Sequence, residues 1–378
     1  MFSISKNRII VFDYIRGYLM ICILLNHLSL YPSAWQYFTG RGYMWVSAAE
    51  GFFFVSGIMV GLIRGSEYNK TNNFWQMAKK LSSRSFKIYL VYIGSTLVSL
   101  ALLATMVALG VQYAPATVQG TVDYSNINNT LWRFLNLSQV YGWADFLKFY
   151  VVFLIASIPA LWLLKQKMWY LLVAIAALCW IEPRLANFPF EASYLFWGAY
   201  FLLGITVGYH YENIKKFYYA LPKIYIKIIP IAIVSIFVLI VSANIFANFY
   251  RPPKNLNLIS QIKSVTLYRW QSSALTNTYF YKSRTGILRL PVFFIFAGGI
   301  YIIFRYFEDH IKNKLDWLLG EMGRNSLRAY VVGAFFTYIF RLWVVDTTFI
   351  YNTMVSAFFI FIILKTTTAS WLKKIVPN

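Results

Sequence analysis

Three ionisable residues interrupt apolar runs near the start of the chain: Arg16, His27 and Glu50. A charge or an imidazole inside a lipid-spanning segment is costly, so each is read first as a functional group. Arg16 and His27 lie eleven residues apart. At 100° per residue that is about 1,100°, three turns plus about 20°, so on a helix they share one face, about 16 Å apart along the axis. Asp13, one turn before Arg16, is placed to pair with it or to meet a substrate. Glu50 stands in Ala48-Ala49-Glu50-Gly51-Phe52-Phe53-Phe54-Val55-Ser56-Gly57. If the two segments are antiparallel neighbours, Glu50 and His27 fall at similar depth, and a carboxylate that orients an imidazole makes it a general base near neutral pH. The bland alternatives are an arginine snorkelling to headgroups and a histidine hydrogen-bonded across a bundle. Gly51, Gly57 and Gly61 permit close helix approach.

The elements that must hold these groups are transmembrane helices. The chain has 378 residues, 59% hydrophobic, 20% aromatic and 13% charged, where a soluble domain carries about a quarter charged residues. The apolar runs have the length a helix needs to cross about 30 Å of hydrocarbon, without the alternation of a barrel strand. The expected class is all-α, a polytopic membrane protein with ten spans: 14–34, 45–64, 88–112, 147–164, 168–182, 190–209, 224–248, 287–306, 326–344 and 348–365. The whole of 1–378 reads as one membrane domain, with long outer connections at 113–146 and 249–286 and no internal repeat. The N-terminal segment lacks a small-residue cleavage pattern and is read as a retained first span. Cys22 and Cys179 read as small residues inside apolar runs.

Lysine and arginine set the orientation, because loops on the cytoplasmic side carry their excess. Lys6 and Arg8, then Lys70, Lys79, Lys80, Arg84 and Lys87, place the N-terminus and the 65–87 connection inside, and alternation puts both termini there. The departure is 249–289, expected outside, with Arg251, Lys254, Lys263, Arg269, Lys282, Arg284 and Arg289 and no acid. It reads either as a solvated loop contributing to the net charge of +22 or as an outward basic surface for an anionic polymer, headgroup or glycan. The expected setting is the cell's inner, cytoplasmic membrane, with the bilayer as partner; no metal and no nucleic-acid partner is expected.

Phe12-Asp13-Tyr14-Ile15-Arg16-Gly17, with His27 following, resembles the opening signature of the membrane acyltransferase family 3 superfamily. The 48–57 segment, Arg84 with Lys87-Ile88-Tyr89, Asp145 to Val152, Leu288-Arg289-Leu290 and Leu319 to Leu327 resemble its periplasmic glucan succinyltransferase, OpgC-like, branch in kind and order. That resemblance implies a membrane O-acyltransferase that moves an acyl group, succinyl or acetyl, from cytoplasmic acyl-coenzyme A to a hydroxyl of an extracytoplasmic glycan. His27 then corresponds to the catalytic base, and Arg16 and Arg84 to donor-holding cations. In this branch the residue before the histidine is often aspartate; here it is Asn26, which leaves Glu50 to tune the base.

Acyl transfer needs a base and a donor to the oxyanion. His27 supplies the first; Asn26, Ser56 or a backbone N–H near Gly57 is a candidate for the second. Coenzyme A carries several phosphate charges, and Lys79, Lys80, Arg84 and Lys87 form the densest inner basic cluster. Arg269, Lys282, Arg284 and Arg289 would suit an acceptor or a dicarboxylic acyl group. Two rival readings are a proton-coupled transporter or flippase of an envelope glycan precursor, with His27 and Glu50 as relay, and a non-catalytic member of an envelope-synthesis complex.

Overall fold

The computed structural model describes residues 9–40, 44–108, 126–138, 145–185, 193–249, 286, 288–343 and 348–376, and among these there is no β-strand. Ten helices carry the apolar runs: α1 (Ile10–Leu28), α2 (Ala48–Thr71), α3 (Phe74–Ala108), α4 (Asp145–Lys165), α5 (Trp169–Leu185), α6 (Ser193–Tyr209), α7 (Lys223–Phe249), α8 (Arg289–Tyr306), α9 (Ser326–Trp343) and α10 (Phe349–Thr368). Seven of the apolar segments are long enough to cross a membrane, and three, Trp169–Ile181, Tyr194–Tyr209 and Ser326–Phe340, are shorter. Each expected span falls on one of these helices in order. The 249–286 connection, with Arg284, lies outside the described residues apart from its two end positions.

Three boundaries differ from the apolar-run reading. α1 stops at Leu28 instead of continuing to residue 34. Ser29 takes a left-handed conformation (φ 54°) and its hydroxyl donates to the Asn26 carbonyl at 2.5 Å, while Pro32 follows and cannot continue a helix. α3 starts at Phe74, well before residue 88, because the Asn73 side chain accepts from the Gln76 N–H at 2.9 Å and caps it. The basic residues 79–87 therefore lie on a helix, not in a connection. The 113–146 connection contains a helix of its own, Ile127–Leu135, capped by Asn126 and tied to α3 by Tyr92 and Tyr89 hydroxyls donating to Phe134 and Leu135 carbonyls, each at 3.0 Å.

α1 is the interior helix. It packs against α2, α8, α9, α10 and the 316–324 segment, and 72% of its apolar window is buried, against none for α7. Past Ile10, its partly exposed residues are Arg16, Tyr18, Asn26 and His27. Glycines set how closely the neighbours approach. A Cβ on Gly17 would lie 2.0 Å from the Leu319 carbonyl oxygen, and one on Gly323 would lie 1.8 Å from that of Asp13. α2 and α6 touch backbone to backbone through Gly57 and Gly61 on one side and Gly204 and Gly208 on the other, the small-residue crossing used where lipid removes the hydrophobic drive for helix association. Phe53 stacks on Phe146 at 4.2 Å between ring centroids and packs with Phe153 and Trp197, which locks α2 to α4 and α6.

Candidate active site

On α3, Gln76, Lys80, Arg84 and Lys87 recur at helical spacing and form one polar stripe, flanked by Lys79 and Ser83. With Arg64, Ile88 and Leu327 they line a cavity of about 520 Å³. The expected donor-holding residues Lys80, Arg84 and Lys87 are thus brought together on one wall. A second cavity, about 100 Å³, is lined by Arg16, Ser56, Met59, Arg64, Arg84 and Tyr150, among others. Arg64 and Arg84 belong to both, so the two spaces adjoin and lead from a basic surface toward α1.

The inner cavity is polar where its walls are otherwise apolar. Ser56 is 1% exposed and its hydroxyl has no hydrogen-bond partner among the described residues; the same holds for the buried Nε of Arg84. A buried donor left unmade costs about 1–3 kcal/mol, and a ligand with acceptor oxygens in these cavities would satisfy both. Arg16 donates from its guanidinium to the Ser326 hydroxyl and lies over the Phe52 ring at 5.7 Å. Asp13, 1% exposed, lines neither cavity; its carbonyl faces Gly323 in the α1 seam.

His27 occupies the last turn of α1, partly exposed, and the helix runs unbroken from Arg16 to it. The eleven-residue spacing therefore holds as about 16 Å on nearly one face. Asn26 accepts at Oδ1 from the Tyr31 hydroxyl at 2.9 Å, which turns its amide nitrogen the other way as a donor. Ser56 sits with Arg16, not with His27, which argues against its serving the oxyanion at the histidine.

Glu50 departs from the expected pairing. Gly51, its neighbour, meets α1 at Leu19, where an added Cβ would lie 3.1 Å from the leucine side chain. That is eight residues, about 12 Å, along α1 from His27. The Glu50 carboxylate accepts from the Ser47 backbone N–H at 2.8 Å and forms an ion pair with Arg289 Nε. Arg289, expected on an outward basic surface, is instead the first residue of α8 and 2% exposed. The reason is electrostatic: a buried carboxylate needs a counter-charge, and the arginine nearest in space supplies it.

Sequence reasoning missed Arg64, Tyr150 and Ser326. Arg64 ends an apolar run, so it reads as a boundary residue; the signal was Gly61-Leu62-Ile63-Arg64-Gly65, which folds as a π-helical turn and re-aims the side chain. Ser326 adjoins, in sequence, a polar chain built from Asp316 to Arg328. Arg324 donates to both Asp316 oxygens at 2.9 and 3.0 Å and to Glu321 at 2.8 Å, and Asn325 links Glu321 to Arg328, which donates to the Val376 carbonyl at 2.8 Å. The Arg324 hydrogen bonds hold the Asp316 carboxyl below its ordinary range. Among the described residues no cluster of His, Cys, Asp and Glu could hold a metal.

No curated protein and no solved structure matches the chain. A family model described as OpgC protein matches residues 8–374, nearly the whole length. The fold adds helices long and apolar enough for a membrane, and the resemblance in the signature segments points the same way. The chain therefore belongs to the OpgC family, a family of membrane transferases that modify glucans.

Proposed function

We propose that this protein transfers an acyl group, succinyl or acetyl, from cytoplasmic acyl-coenzyme A to a hydroxyl of a glucan on the other side of the inner membrane. The observation that carries the reading is the pair of adjoining cavities whose shared walls are Arg64 and Arg84 and whose inner end is Arg16 and Ser56. On the ten-span reading with both termini in the cytoplasm, the basic cavity lies on the donor side and His27 on the acceptor side.

In this account Lys79, Lys80, Arg84 and Lys87 hold the nucleotide phosphates, and Arg16 and Ser56 hold the pantetheine arm. The arm then has about 16 Å to run along α1 before its thioester reaches His27. His27 takes the proton of the acceptor hydroxyl as the oxygen attacks the thioester carbonyl carbon. The Asn26 amide donates to the oxyanion that forms. Its collapse breaks the C–S bond, and the departing sulfur takes the proton from the imidazolium, leaving an ester and coenzyme A. Glu50 acts through Arg289, fixing the start of α8, and Arg284 is the acceptor-side cation. With Glu50 committed to Arg289, the carboxylate that a proton-coupled carrier would use beside His27 is engaged elsewhere.

The test is binding of coenzyme A and short acyl-coenzyme A thioesters to the purified protein in detergent. Saturable binding that Arg84→Glu abolishes is expected. A folded protein that binds none of them contradicts the donor site.

A further inference from the structure

The larger cavity is lined by Arg64, Lys79, Lys80, Arg84 and Lys87 and, among the described residues, by no acid. One carboxylate touches this wall from outside the lining. Glu67, a turn beyond Arg64 on α2, accepts from Arg64 at 2.8 Å and pairs with Lys80 on α3. It thus spans two helices and neutralises two of the five cations, while Lys79, Arg84 and Lys87 have no carboxylate partner among the described residues. The geometry is that of an anion site already occupied by a side chain: a two-oxygen acceptor between a guanidinium and an ammonium, at the mouth of a cavity shaped for a larger ligand. The π-helical turn Gly61–Gly65 brings Arg64 to this position, and Arg64 also lines the inner cavity. A cation drawn away from Glu67 therefore remains in contact with the ligand path.

We infer that Glu67 is a built-in counter-anion, which Arg64 and Lys80 exchange for a phosphate group when a phosphate-bearing ligand enters the cavity. This rests on the donor-site reading above and adds to it a residue that lowers affinity and selects against weak anions. A phosphate, with more charge and more acceptor oxygens than a carboxylate, displaces Glu67; a simple carboxylic acid gains nothing by doing so. Each half-exposed ion pair is worth a fraction of a kcal/mol, so removing the competitor tightens phosphate binding about fivefold.

The experiment compares wild type with Glu67→Gln, both in detergent, using inorganic pyrophosphate and coenzyme A as separate probes and thermal unfolding as a check on folding. The inference requires each probe that binds at all to bind about fivefold tighter to the variant. Unchanged or weaker binding to folded Glu67→Gln overturns it, and coenzyme A binding to wild type then still upholds the donor site. Tighter pyrophosphate with no coenzyme A binding to either protein keeps the counter-anion and removes the donor reading. Binding of neither probe to either protein removes both. Should Glu67→Gln fail to fold, Glu67→Asp serves instead: its shorter side chain cannot span both cations, so about twofold tightening is required and wild-type affinity overturns the inference.

Discussion

Arg289 and Glu50, 239 positions apart in the chain, form an ion pair in which neither side chain reaches solvent: they are 2% and 0% exposed. The pair joins the first turn of α2 to the first residue of α8, beside the middle of α1. Taking one partner away leaves a charge in a low-dielectric interior, at a cost of about 3–5 kcal/mol. Glu50→Gln is therefore expected to lower the unfolding midpoint in detergent sharply, and the exchanged double variant Glu50→Arg with Arg289→Glu is expected to recover part of it. A midpoint that Glu50→Gln leaves unmoved would show that the pair contributes nothing net.

The α2–α6 crossing makes a contrast between glycines. A Cβ at Gly204 would lie 2.1 Å from the Phe54 carbonyl oxygen and one at Gly57 would lie 2.2 Å from that of Phe201, whereas nothing lies within 4 Å of one at Gly94. Gly57→Ala and Gly204→Ala should each cost about 1–3 kcal/mol through forced separation of the helices. Gly94→Ala should be neutral or stabilising by up to about 1 kcal/mol, from helix propensity. Equal effects at all three positions in a chemical-denaturation series would contradict the packing.

Ser326 is the test of how Arg16 is held. Its hydroxyl accepts from the guanidinium, and a hydrogen bond to a charged group contributes about 1.5–3 kcal/mol. Under the proposed function, Ser326→Ala raises the KM for acyl-coenzyme A about tenfold or more and changes kcat little, since Arg16 then binds donor without a fixed orientation. A fall in thermal midpoint with KM unchanged would assign Ser326 to structure alone.

The Asp316–Arg324 pair gives a pH dependence of known sign. Hydrogen bonds from Arg324 hold the Asp316 carboxyl below its usual range, so the folded state binds this proton less readily than the unfolded chain does. The stabilisation is complete above the ordinary aspartate pKa of about 4 and is lost as pH falls through the lower, folded value. Asp316→Asn should lower stability at neutral pH and flatten its decline below about pH 4. A variant whose stability declines with acid as steeply as wild type would contradict that assignment.

Much of the architecture was legible because hydrocarbon thickness fixes how long an apolar run must be: every expected span falls on a helix, and seven of these helices are long enough to cross a membrane. The shared face of Arg16 and His27 held because α1 is unbroken between them. The ends of helices were less legible. Apolar runs do not register the Asn73 cap, which extends α3 over a charged face, or the local hydrogen bond at Ser29, which stops α1 early. The least legible feature was Arg289. A run of cations reads as a solvated surface, and nothing in the local sequence announces that one of them is buried against a glutamate more than two hundred residues earlier. Arg64 escaped for a related reason: at the end of a span a cation resembles an anchor until the fold places a cavity on either side of it.

The central claim is that one chain carries an acyl group from a donor on one face of the membrane to a glucan on the other through His27. The direct measurement is transfer by the purified protein in sealed proteoliposomes, with radiolabelled succinyl- or acetyl-coenzyme A confined to one face and glucan to the other. The account predicts labelled glucan only when donor and acceptor occupy opposite faces in one orientation, and none with a folded, inserted His27→Ala variant. Transfer that needs both substrates on the same face, or that persists in His27→Ala, would contradict it.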